Sequence, residues 1–188
     1  PLWMHFAISM SGGGVPILSS DHSLLVSDAT VSHLLFGGDF DVTLATGEGP
    51  AYSVYNEAER GHLRDARLVL YLFVALALAS LVFILAALVH RPHDARRWRA
   101  VARGGAGQAI GTVIVGLVGF FAFDPLFELF HRVFFPGGNW EFPADSNMIR
   151  LYPYAFWQLT AGALGALCVI GGGLVWWLAR RRAERLER

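Results

Sequence analysis

Three long apolar runs divide the chain. Residues 68–89, "LVLYLFVALALASLVFILAALV", contain no charge. A second run opens near Gln108 with "QAIGTVIVGLVGFFAF" and reads as continuing past Asp124, giving a span over 106–135. The third, "QLTAGALGALCVIGGGLVWWLA", covers 158–179. The first and third approach the ~20 residues needed to cross a hydrocarbon core, and the second does so only with the Asp124 region included. Gly162, Gly165 and the Gly171–Gly173 stretch suit close helix–helix approach. The pattern predicts an all-α fold: a polytopic membrane helical bundle with three spans, forming a single integral membrane domain over 1–188.

The polar stretches are patterned too. "SSDHSLLVSDATVSHLLFGG", residues 19–38, has the caps and apolar spacing of a short amphipathic helix ended by Gly37-Gly38. "YSVYNEAERGHLRDARLVLYLF", residues 52–73, reads as a helix running unbroken into the first span. "ADSNMIRLYPYAFW", residues 144–157, holds a further helical turn before Pro153, with aromatics suited to interface depth.

Charge adds an orientation. All fifteen basic residues are arginine, and the formal net charge is zero, so no nucleic-acid partner is implied. Five arginines fall in 90–103 and five in 180–188, which assigns the loop 90–105 and the tail 180–188 to the cytoplasm. Residues 1–67 and the loop 136–157 then lie outside. Twelve of the fifteen acidic residues fall in 1–67 and 124–157, in keeping with that topology. "PLWMHFAISM" has no basic leader and reads as the outer end of an apolar segment begun upstream, so a fourth span is expected in the full chain. The single cysteine, Cys168, sits within an apolar run and reads as packing.

Two stretches carry candidate chemistry. In "NEAERGHLRDAR", Glu59, His62 and Asp65 are spaced by three, so on a helix either carboxylate can pair with the imidazole. A solvated helix with routine ion pairs gives the same pattern. In "FDPLFELFHRVFFPGGNWEF", residues 123–142, Asp124, Glu128 and His131 fall on one helical stripe among phenylalanines. Turned inward, that stripe meets the helix bearing His62. The alternative is a bend at Asp124-Pro125 with His131 reaching for water. Trp140 can anchor at an interface or offer its indole N–H to an oxygen. Arg150 can face headgroups or stabilise an oxyanion.

These motifs, with "FHRVFFPGGNWEF" and "MIRLYPYAFW", resemble the bacterial lipoprotein intramolecular transacylase (Lit) family, from about Val15 to the last span. The resemblance implies four membrane helices and a multi-pass protein of the bacterial plasma membrane with its active face outside. It implies movement of an acyl chain from the diacylglyceryl group of a lipoprotein to the α-amine of its N-terminal cysteine. The partners are then the diacylated lipoprotein and membrane lipids, and no cofactor is needed. His62 and His131 map onto the expected catalytic pair. Glu59, Asp65, Asp124, Trp140, Asp145 and Arg150 are the supporting candidates. Two other classes stay open: a metal-dependent membrane hydrolase using His62, His131, Asp65 and Asp145, and a non-enzymatic membrane protein.

Overall fold

A computed structural model describes residues 2–16, 18–44 and 51–188; Pro1 lies outside the described residues. They form seven helices and one two-stranded antiparallel sheet: α1 (Leu2–Ser11), α2 (Ser20–Phe36), β1 (Thr43–Leu44), β2 (Tyr52–Ser53), α3 (Glu57–His90), α4 (Ala95–Phe121), α5 (Phe123–Phe134), α6 (Asn147–Leu151) and α7 (Tyr154–Leu186). The all-α membrane reading holds. Helices α3, α4 and α7 are each long and apolar enough to cross a bilayer. None of the most apolar stretch of α3 is buried inside the protein, and little of that in α4 or α7 is. In water such a surface would aggregate; in lipid it is what a span requires.

The chain divides into two compact units, one formed by 1–72 with 127–160 and the other by 73–126 with 161–188. In the first, the core gathers Ile8, Val26, Leu151 and Phe156 from four helices and Phe40 and Val54 from the segments beside the strands. Burying each contributes roughly 1.5–3 kcal/mol. Helix α2 is capped as expected: Ser19 accepts from the His22 N–H, and Gly37, at φ +94°, donates to the His33 carbonyl. Its buried face differs from the amphipathic expectation. That face is Ser23, Val26, Ser27 and Thr30, largely hydroxyl-bearing. The Ser27 and Thr30 hydroxyls meet tyrosines, and the Ser23 hydroxyl accepts from the Val15 N–H. Thr30 Oγ1 lies 2.8 Å from the Tyr55 hydroxyl, and the Tyr152 hydroxyl donates to Ser27 over 3.4 Å. Burial raises the pKa of both tyrosines, so they remain protonated donors.

Helix α3 starts at Glu57 and not upstream, because Tyr52–Ser53 pair with Thr43–Leu44 as a strand. The charge-free span 68–89 follows its first three turns. Arg67 fixes that entry by donating to the Gly38 carbonyl (2.6 Å) and lying over the Phe40 ring (5.4 Å). Gly13 is needed for packing: a side chain there would strike the Leu151 carbonyl, and Gly14 N–H donates to the Arg150 carbonyl at 2.9 Å.

In the second unit, α4 and α7 pack closely through glycine. A side chain at Gly105 would lie 2.8 Å from the Gly172 carbonyl oxygen and 2.9 Å from the Trp176 nitrogen. The Asp94 side chain caps α4, so the arginine-rich segment from Ala95 onward is helical, not a loop through 105. The expected continuous span over 106–135 is also revised. Helix α4 ends at Phe121, Ala122 leaves helical geometry (φ −138°, ψ 47°), and α5 starts afresh at Phe123. Pro125, in the first turn of α5, is tolerated there but not in a helix interior. At 27 residues α4 needs no extension to cross.

Candidate active site

The first turns of α3 place His62, and the end of α5 places His131. Their rings stack at 6.0 Å between centroids, 22° from parallel. Both belong to the first unit. Aromatic rings enclose them. Phe135 lies 4.7 Å and Phe142 5.7 Å from the His62 ring, while Phe127 lies 4.1 Å and Trp140 4.9 Å from the His131 ring. A polar pair thus sits in a largely apolar shell, with His62 buried and His131 half-buried.

The ring nitrogens are differentiated. His131 Nδ1 lies 2.8 Å from the Phe127 carbonyl oxygen. A carbonyl only accepts, so Nδ1 carries the hydrogen and Nε2 of the neutral ring carries the lone pair. His62 is 8% exposed, and its Nδ1 is buried without a hydrogen-bond partner among the described residues. Such an orphan is costly in a fold and informative in a site.

Burial also sets the proton affinity. His62 precedes the span, and its pKa is lowered to about 4. Desolvation is the main cause and the nearby His131 the second; contact with Asn139 and the charge of Asp65 oppose them. His131 follows the break after α4, and burial lowers its pKa too, partly offset by its bond to Phe127. Both rings are therefore neutral at physiological pH.

The carboxylates do not act as the spacing suggests. Glu59 does not orient His62. It is 1% exposed and fully engaged elsewhere. It accepts from the Asn56 N–H (2.8 Å), while Asn56 accepts from the Glu59 N–H (2.9 Å), a reciprocal cap on α3. Its second oxygen accepts from Ser146 Oγ (2.5 Å) and the Met148 N–H (3.0 Å), where α6 begins. One buried carboxylate thus ties two helix N-termini together, favourably for both helix dipoles. Asp65 is exposed and accepts from the side-chain amide of Asn139. It reaches His62 through charge and through Asn139.

Asn139 is the residue the sequence reading missed. The turn after α5 delivers it: Gly138 takes φ +73° and donates to the Phe135 carbonyl at 3.1 Å, turning Asn139 and Trp140 back over the histidines. The Pro-Gly-Gly break before Asn-Trp was the available signal. Beside it a cavity of about 260 Å³ is lined by Asp65, Leu68, Val69, Phe134, Phe135 and Asn139, polar at one end and apolar along its walls.

The other candidates are placed differently. Asp124 is exposed in the first turn of α5 and belongs to the second unit. Glu128 is spent on Arg132 at 2.5 Å, so the inward ionisable stripe reduces to His131. Asp145 and Arg150 are exposed, and among the described residues neither side chain is paired. Among the described residues no group of three or more His, Cys, Asp or Glu side chains comes together to hold a metal, so His62, His131, Asp65 and Asp145 do not form the ligand set considered above.

Fold and site define a helical membrane protein with a paired-histidine centre beside the start of a span. The family model for the lipoprotein intramolecular transacylase Lit matches residues 39–157, more than half of the chain, and this chain belongs to that family. The match contains Glu59, His62, Asp65, His131, Asn139 and Trp140. A protein of Aquifex aeolicus (strain VF5), described as uncharacterized, is 27% identical over 104 residues. That alignment covers 55% of this chain and 46% of the relative, so the chain spans about half the length of the curated relative it matches. No solved structure matches the chain.

Proposed function

We propose that this chain carries an acyl-transfer site in which His62 and His131 move the proton that accompanies transfer of an acyl group from a lipoprotein's glyceryl ester to the α-amine of its N-terminal cysteine. The observation that carries the reading is the stacked histidine pair, with the His62 Nδ1 buried and without a hydrogen-bond partner among the described residues.

The amine nitrogen attacks the ester carbonyl, forming a C–N bond and a tetrahedral oxyanion. A neutral imidazole takes one proton from the attacking nitrogen. The C–O bond to glycerol breaks, and the imidazolium returns that proton to the departing oxygen. Products are an amide and a free hydroxyl, with no net change at the protein, so neither cofactor nor protein nucleophile is required. His62, the weaker base, suits the amine once attack has made its proton acidic. His131, whose Nε2 lone pair takes that proton over from the His62 imidazolium, suits delivery to the leaving oxygen. Trp140, half-buried and without an acceptor for its indole N–H among the described residues, suits the oxyanion. Donor and acceptor belong to one substrate molecule, so proximity lowers the barrier further. The arginine placement supports a site on the outer face of the plasma membrane.

The test uses the chain in detergent with a synthetic diacylated lipopeptide, the acyl chains being located afterwards by tandem mass spectrometry. Movement of one chain to the cysteine amine is expected. Release as free fatty acid would make the site hydrolytic and overturn the reading.

A pH profile is expected to report the substrate rather than the protein. With His62 neutral down to about pH 4, this ring does not need to be deprotonated near pH 6.5. The rate should climb about tenfold per unit until the amine, pKa ~8, is neutral, and then level. An inflection near 6.5 that vanishes in His62→Asn would contradict this.

A further inference from the structure

We propose that the cleft between the first turns of α4 and the last turns of α7 binds the phosphate of an anionic phospholipid headgroup. Its volume is about 470 Å³, and Arg99, Arg103, Trp176, Arg180, Glu184 and Glu187 line it. It lies wholly within the second unit and shares no residue with the histidine site. Two of its arginines are held in place by neighbours: Arg180 Nε pairs with Glu184 at 2.7 Å, and Arg99 Nη1 with Glu187 at 2.6 Å. Arg103 is exposed and has no ion-pair partner among the described residues. The lining therefore carries an excess of positive charge centred on an uncommitted guanidinium, whose planar fork suits phosphate oxygens.

Position favours a lipid over a soluble anion. Trp176 and Trp177 close the apolar stretch of α7, the usual depth of an aromatic belt. At 1.5 Å per residue, Arg180 sits about 6 Å beyond Trp176, within the headgroup layer. Arg103 precedes the apolar part of α4 by about one turn, at matching depth. The guanidinium of Arg181 stacks on Trp177 at 4.0 Å, further cationic surface at this level. Basic recesses between membrane helices at headgroup depth are built to hold anionic lipids.

Native mass spectrometry of the chain, released from detergent with phosphatidylglycerol or phosphatidylcholine of the same acyl length, tests this. Selective retention of phosphatidylglycerol is expected, roughly tenfold weaker in Arg103→Ala/Arg180→Ala. Glu184→Gln should act oppositely and strengthen retention by freeing Arg180, an effect a folding defect would not give. Equal retention of the two lipids, or unchanged retention in the double variant, overturns the proposal. Displacement of phosphatidylglycerol by inorganic phosphate alone overturns the lipid assignment in favour of a free anion.

Discussion

His62→Ala and His131→Ala are each expected to lower acyl transfer by about 10²–10⁴-fold, the usual contribution of a positioned acid/base group. Neither should unfold the protein. His62 makes ring contacts, and the polar contact it gives up is with the Asn139 amide, which Asp65 still holds. His131 gives up one bond to the Phe127 carbonyl, a helix-internal acceptor. Retained helicity and an unchanged elution volume would separate lost chemistry from lost fold. Asparagine in place of either ring keeps hydrogen bonding but cannot shuttle a proton near neutrality, so it should be as inactive as alanine.

Glu59→Ala is expected to produce the largest loss of stability, about 3 kcal/mol or more. The variant leaves the Asn56 N–H, the Ser146 hydroxyl and the Met148 N–H without their acceptor in a buried place, and bonds to a charged group are each worth ~1.5–3 kcal/mol but do not add fully. For a chain of this size that is a fall in melting temperature of roughly 10 °C. Thermal unfolding in detergent measures it. Asp65→Ala should barely move the melting temperature, because Asp65 is exposed, yet it should slow transfer by loosening Asn139. The two carboxylates flanking His62 at equal spacing would then separate into one that builds and one that positions. Equal effects of both on stability would contradict the assignment.

The sequence carried the spans most clearly, because a bilayer demands a length and an apolarity that little else in a chain imitates. It also brought His62 and His131 together, through an aromatic-rich helix and a helical segment at the same end of their spans. It misjudged what surrounds them. A carboxylate three residues from a histidine can pair with it, but Asn56 and Glu59 also carry capping-box spacing, and the cap prevailed because Ser146 and Met148 complete it. Those partners lie 87 and 89 residues away, beyond any local pattern. Asn139 was hidden for the same reason: its partner Asp65 is 74 residues away. The break at Ala122 was legible as a bend at Asp124-Pro125, but the apolar run from Gln108 to Phe123 is short for a span, and nothing local showed that α4 begins at Ala95. The hydroxyl face of α2 was illegible because its partners, Tyr55 and Tyr152, come from distant elements.

The central claim is that the two histidines act as one proton-moving unit. The double variant His62→Ala/His131→Ala, assayed beside both single variants on the diacylated lipopeptide, tests it most directly. Residues that act as a unit lose their function once, so the double variant should be no slower than the slower single one. Losses that multiply, or a single variant with full activity, would contradict the account.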